Sequence, residues 1–405
     1  MKLKTLSNGG AQSLRRVIEV IRDHRNISRR AISEATGLST PSITRLVNEL
    51  IALEIVQVNE IHQEPGAGPG RPATSLTLNP LCGCSIGVDI GEHTIRAAIG
   101  DMGGNIQLTR QVPSLGSQGG DATFDGLVDL IRELREQFQQ QSDAAIPLRG
   151  ISVCVPGTVD PDSSRVVLAP NISGWNNYPL KSKLNEVFDG LSIRIENDVN
   201  ASAIGESSFG RAIGKDNFVF VSFRKGIGSG IFIDGKLYRG HAGFAGETGK
   251  LAFDPEFRLA SAGGLGHLET LASESPLITK SVDAGVEFQS ASGEPELKDL
   301  CMAVSRGDKK AAEVFDFALS YYGAAVANIV CMLDPEMVVI GGELNTVLDF
   351  AVDKIRKRVG LLTPFDPEKI HGSTLGEQAA LKGAFSQAFK DSCGSLTLGL
   401  GRSPE

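Results

Sequence analysis

The sequence predicts an α/β protein in which a small winged helix-turn-helix precedes a larger, two-lobed body. Three observations predict it. Between residues 11 and 50 two short helical patterns flank a lone glycine, Gly37, and two β-rich stretches follow. Beyond residue 80 the pattern changes to strand, glycine turn, strand, at residues 85–101 and again at 217–240. Charge divides at the same place: residues 1–80 carry +3 and the remainder −11 of a net −8. A basic head on an acidic body suits a nucleic-acid-binding module on a body that avoids nucleic acid.

The head reads element by element. Leu14, Val17, Ile18 and Ile21 repeat at i, i+3, i+4 and i+7, so residues 11–25 form an amphipathic helix. Ser28 can cap a helix over about 29–36, and Gly37 supplies a turn whose left-handed backbone is open chiefly to glycine. Ser39 can cap the next helix, with Pro41 in its first turn. Ile43, Leu46, Val47 and Leu50 form that helix's buried stripe. Ser39, Thr40, Ser42, Thr44, Arg45 and Asn48 remain to face DNA, as short polar groups and one arginine suited to base edges and phosphates. Strands at 55–60 and 73–80 enclose IHQEPGAGPGRP, a wing whose tip carries Arg71 for a narrow minor groove. The alternative for this segment is a three-helix protein-interaction domain with a flexible linker.

The body reads as a strand–turn–strand from Ser85 and a helix around 122–141. A buried strand ends in the Pro-Gly turn of LRGISVCVPGTVD. The stretch LSIRIENDVNASAIGE is a strand followed by a helix with Asn197 and Asp198 at its start. The second strand–turn–strand and MLDPEMVVIGGEL complete an internal duplication around a cleft. The six cysteines include one close pair, Cys82 and Cys84, with no second pair to complete a metal site, so the thiols read as buried or idle. No apolar stretch approaches a membrane span and the start lacks a signal-peptide core, so the expected location is the cytoplasm.

With these residues in view, the body resembles the ROK family of bacterial sugar kinases, open-reading-frame proteins and repressors, which share an actin/hexokinase-like ATPase fold. The head resembles the winged helix of the family's repressor branch, the sugar-responsive regulators of xylose and N-acetylglucosamine operons. GRPATSLTLNP, NISGW, ENDVNASAIGE, GIGSGIFIDGKLYRG and DPEMVVIGGEL occur in the family's order. The resemblance covers residues 11–390. It implies a DNA-binding domain at 1–80, a first lobe at 81–197 completed by a helix near 376–390, a second lobe at 198–375 and a tail at 391–405.

The resemblance also implies a sugar site of Asn171, Asn197, Asp198, Glu247, Lys250 and Glu269. In the family's kinases the residue at Asp198 is the general base, a role a carboxylate fills by accepting the hydroxyl proton. It serves equally for plain hydroxyl binding. Lys250 replaces the family's zinc-ligating histidine, and is expected either to contact an anionic sugar or to pair with Glu247 or Glu269. Ala260, Ala262 and His267 stand where the family has zinc-binding cysteines, so no zinc is expected.

The nucleotide site is degenerate. Asp89, Gly91 and Thr94 remain in the first turn, but Glu92 replaces a glycine and would repel phosphate. In the second turn Arg224 and Lys225 precede Gly226 and Gly228, and the usual threonine is lost. Gly341 and Gly342 stay for reasons of fold alone. These readings predict a repressor of a carbohydrate operon with no cofactor and no enzyme activity. Its partners are double-stranded operator DNA, a sugar inducer and a second copy of itself, as a homodimer or dimer of dimers. The alternatives are an ATP-dependent hexose or N-acylhexosamine kinase with an added head, and a scaffold protein.

Overall fold

The computed structural model describes residues 8–24, 26–60, 74–91, 94–114, 119–141, 145–160, 162–169, 172–259, 265–288 and 294–396. The chain divides into two units. One comprises Met1–Val155, Ser164–Glu196 and Ala384–Glu405; the other comprises Pro156–Ser163 and Asn197–Gly383. The head and the first lobe thus fall in one unit, although the sequence separates them near residue 80.

The first unit begins with α1 (Asn8–His24), α2 (Arg29–Thr36) and α3 (Thr40–Ala52), followed by the antiparallel pair β1 (Val56–Glu60) and β2 (Thr74–Leu78). The local signals act as expected at α2: Ser28 Oγ accepts the Ala31 N–H, and Gly37 closes the helix at φ 70°. Ser39 differs. It occupies the N-cap of α3 without a side-chain capping bond, and its hydroxyl instead lies 2.9 Å from that of Ser42. Leu14, Val17, Ile18 and Ile21 meet Ile43, Leu46, Val47 and Leu50 in one core.

The rest of this unit is a sheet ordered β5-β4-β3-β6-β9. Its strands are β3 (Cys84–Ile90), β4 (Thr94–Asp101), β5 (Ile106–Pro113), β6 (Leu148–Val155) and β9 (Ser192–Asn197). The short strands β7 (Thr158–Val159, in the second unit) and β8 (Val166–Leu168) lie between the last two in sequence. β3 is buried throughout, antiparallel to β4 and parallel to β6. Helices α4 (Gly120–Gln139) and α5 (Leu180–Val187) lie between strands of this sheet in sequence, on either side of β6. The final helix, α12 (Ala379–Ser395), lays the backbone of Phe385 against Gly87 of β3. It then runs on to bury Cys393 and Leu396 in the core of the head. The helix thus extends into residues 391–395, which the sequence reading assigned to the tail.

The second unit repeats the pattern with the sheet β12-β11-β10-β13-β14. Here β10 (Phe218–Phe223) is antiparallel to β11 (Ile227–Ile233), β11 is antiparallel to β12 (Lys236–Tyr238), and β13 (Met337–Gly342) is parallel to both β10 and β14 (Ile370–Gly372). Its helices are α6 (Asp198–Phe209), α7 (His267–Ala272), α8 (Glu274–Asp283), α9 (Leu297–Ser305), α10 (Lys309–Leu333) and α11 (Leu348–Leu362). Contrary to the sequence reading, one segment does reach membrane-span length and apolarity: α10. Its apolar residues, among them Phe315, Leu319, Tyr322 and Val326, lie in the core of this unit, and Tyr322 stacks on Phe223 at 3.8 Å. All six cysteines are free thiols, and burial pushes the Cys84 thiol up to about 12.

Candidate functional site

The candidate DNA face lies on α3. Its buried stripe of Ile43, Leu46, Val47 and Leu50 turns the opposite side to solvent. Ser39, Thr40, Thr44, Arg45 and Asn48 are exposed and Ser42 is half-buried. Thr44 returns its hydroxyl to the Thr40 carbonyl at 2.9 Å. Among the described residues Arg45 has no ion-pair partner, so its fork stays available. One contributor escaped the sequence reading: Arg29, the first residue of α2, reaches Asn48 Oδ1 at 3.4 Å and adds a second guanidinium to this face. The Arg29–Arg30 doublet was its only signal, and Arg30 is spent on Glu34 at 2.9 Å. Arg71, which the sequence reading places at a wing tip, lies outside the described residues.

In the first unit Asp89, the penultimate residue of β3, is 4% exposed. It stands opposite Arg96 on β4, and Arg96 Nε lies 3.7 Å from its Oδ2. The Cys154 thiol points at its other oxygen at 3.5 Å. Gly91 donates its N–H to the Thr94 carbonyl at 2.8 Å, closing the turn. Glu92, which carried the argument for phosphate repulsion, lies outside the described residues, as does Asn171. Trp175, four residues further on, is fully buried and donates its indole N–H to the Gly120 carbonyl at 3.0 Å.

The remaining sugar-site candidates gather in the second unit. Asn197 is the N-cap of α6: its Oδ1 accepts the N–H groups of Val199 and Asn200, both at 2.9 Å. Its amide donates to the Gly157 carbonyl at 2.8 Å and to Asp198 Oδ1 at 3.1 Å. An asparagine amide offers two donors and two lone pairs, so Asn197 is committed to holding the helix and orienting Asp198. Asp198 is 5% exposed, and its other oxygen is paired with Arg224 Nη2.

Arg224 follows β10 and opens the turn whose chain returns at Gly226. Gly228, on β11, packs toward Val199 of α6, so the turn and the start of α6 are neighbours. The GETGK loop is tied to β11 by a Ser229 N–H to Gly246 carbonyl bond of 2.7 Å and a Thr248–Ser229 hydroxyl bond of 2.7 Å. It presents Glu247 and Lys250, which pair with each other at 3.5 Å. Of the two readings open for Lys250, this geometry matches the internal ion pair.

Glu269 accepts the Gly266 N–H at 2.9 Å as the capping carboxylate of α7. A side chain on Gly249 would strike it, which places Glu269 directly beside the GETGK loop. His267 has a packing role: its Nδ1 accepts the Phe253 N–H at 2.9 Å and its ring stacks on Phe257 at 4.5 Å. Ala260 and Ala262 lie outside the described residues. Gly341 and Gly342 close β13 opposite Ser222 and Phe223, where added side chains would hit Phe220 and Phe223. Beside them Glu343 is pushed above the usual carboxylate range by burial and then by Glu274, with Arg224 pulling the other way.

The ROK family profile matches residues 85–390, and a winged helix-turn-helix DNA-binding profile matches residues 12–57. The chain belongs to the ROK family. It is a DNA-binding transcriptional regulator of that family and not one of its enzymes. The xylose repressor of Caldicellulosiruptor bescii is 30% identical over 385 residues, covering 93% of this chain and 94% of that protein. The xylose repressor of Bacillus subtilis is 33% identical over 335 residues, 82% of each chain. The crystal structure of a ROK family transcriptional regulator, a homologue of the E. coli MLC protein, superposes with a TM-score of 0.78 at 26% identity, covering 95% of this chain and 98% of that one.

Proposed function

We propose that this regulator represses a carbohydrate uptake or catabolic operon and leaves its operator when a small neutral sugar enters the second unit. Xylose is the first candidate, because the two relatives described above are xylose repressors. One observation carries the reading: Asp198 is held in place by Asn197, Glu269 lies against Gly226 of the β10–β11 turn, and a guanidinium covers the base position. Carboxylates in such an arrangement suit the many hydroxyl donors of a polyol. The pairing of Lys250 with Glu247 favours a neutral ligand over a sugar phosphate or acid. The regulator is proposed to act in the cytoplasm as a homodimer, since paired recognition helices read pseudo-palindromic half-sites.

The test joins three measurements on the full chain: operator binding, its release by a sugar panel, and ATP-dependent phosphorylation of the same sugars. Operator release by a neutral sugar without phosphorylation is the expected result. A true ligand at 100 times its dissociation constant adds roughly 2.7 kcal/mol of stability, which a thermal shift detects. Phosphoryl transfer at enzymatic rates would overturn the reading.

A further inference from the structure

We infer that Arg224 is a latch on the sugar site: its guanidinium pairs with Asp198, and a sugar hydroxyl that binds this carboxylate displaces it. This rests on the sugar-released reading above. Both oxygens of Asp198 are already engaged by the chain itself, one by the Asn197 amide and the other by Arg224. A carboxylate has about four acceptor sites, and a hydroxyl that approaches Asp198 on its Oδ2 side competes with a charged, forked donor. The two partners are unequal in mobility. Asp198 sits at the start of α6 with its side chain 6% exposed, whereas the Arg224 side chain is 33% exposed and springs from a turn. Arg224 can swing away without unpacking a core; Asp198 cannot.

Arg224 also has a place to go. β10 and β13 run parallel with Phe223 opposite Gly342, so Arg224 and Glu343 are the next residues at two adjoining strand ends. The Glu343 N–H is bonded to the Phe223 carbonyl at 3.0 Å, which fixes that adjacency. Glu343 lies within the field of Glu274, Glu296 and Glu377, all of which oppose its ionisation, and Arg224 is the cation that favours it. A guanidinium turning from Asp198 to Glu343 exchanges one carboxylate for another. The hydroxyl donors of the sugar then satisfy Asp198 in its stead. Two arrangements of one side chain that differ by a small free energy are what a ligand needs in order to shift a population.

The competition sets the sign of the test. With Arg224→Met the free protein keeps a buried carboxylate that lacks its cation, so a hydroxyl donor gains more on arrival. Binding of D-xylose, D-glucose and N-acetyl-D-glucosamine is titrated calorimetrically on wild type, Arg224→Met and Arg224→Lys. The sugar that binds wild type is expected to bind Arg224→Met about tenfold more tightly, with Arg224→Lys between them. Equal or weaker binding by Arg224→Met overturns the latch, weaker binding because it makes Arg224 a direct ligand contact. A ligand-free control reads the pair itself: Arg224→Met and Asp198→Asn, singly and together, are unfolded in urea. Coupling between them is expected, and additive effects overturn the latch with the sugar reading intact. Coupling without sugar binding by wild type or any variant overturns the sugar reading, and with it the role of the pair as a gate.

Discussion

In the hairpin β3–β4 the arginine stands on a strand; in β10–β11 it stands in the turn. Arg96 faces Asp89 across the ladder, and its own strand is paired on the other side with β5 at Gln111. Backbone register on two sides fixes where that guanidinium can be. Arg224 has one short backbone bond, from its N–H to the Gly226 carbonyl, and reaches Asp198 on a different element. The two halves of the duplicated body thus neutralise a carboxylate at corresponding hairpins by unlike means. The first arrangement is a strut, whose loss is felt as stability. The second is releasable, and its loss is felt as ligand response.

The largest effect should come from Asp198→Asn, which is expected to abolish sugar-driven release while operator affinity stays at the wild-type level. Operator release followed by fluorescence anisotropy reads both quantities, and normal release by the mutant would remove Asp198 from the inducer site. The matching change in the first hairpin, Arg96→Met, should do the opposite. It leaves Asp89 buried without its cation, at a cost of about 1–3 kcal/mol in urea unfolding, and keeps the sugar response. A lost response in Arg96→Met would break the distinction between strut and latch.

On the DNA face, Arg45→Ala should weaken operator binding by about 1–3 kcal/mol and relax preference at one base position. Arg29→Ala should weaken all sequences alike, because Arg29 is positioned by Asn48 at the helix edge; a footprint unchanged in both variants would discard this face. The purified protein should hold no stoichiometric zinc, and a chelator should leave its melting temperature unchanged. One zinc per chain by elemental analysis would overturn the reading of Ala260, Ala262 and His267.

The smallest effect concerns Glu343. Burial, then Glu274, raises its pKa, so the folded protein binds this proton more tightly than the unfolded chain. Its contribution is therefore lost as pH rises from the ordinary carboxylate value through the raised one. Glu343→Gln should flatten that part of the curve of melting temperature against pH, with no change below it.

How much of this was legible in the sequence follows the range of the interactions. Ser28, Gly37 and the Ile43-to-Leu50 stripe act over one or two turns of chain, and their spacing foretold the helix-turn-helix. Both body hairpins were legible for the same reason, from β-rich runs about a glycine turn. Asn197 and Asp198 were legible through the family's motif, although the motif did not reveal that Asn197 spends its amide on capping α6. The Lys250–Glu247 pair lay within three residues and could be weighed in advance. The Arg224–Asp198 pair joins a turn to a helix start, and no periodicity links the two. Nor did composition mark Cys393 and Leu396, in a stretch of small residues, as part of the head's interior. The apolar length of α10 is hard to see in the sequence because charged residues open it and its buried face runs round much of the helix.

That shared interior has an engineering consequence. Leu14, Ile18 and Ile21 are sealed by side chains from the far end of the polypeptide, Cys393 and Leu396. A DNA-reading cassette cut at residue 80 and fused to another sensor would carry an open apolar face, and would be expected to aggregate or melt early. A working chimera needs the last helix as well, so this reader is transplanted as two pieces of sequence or not at all.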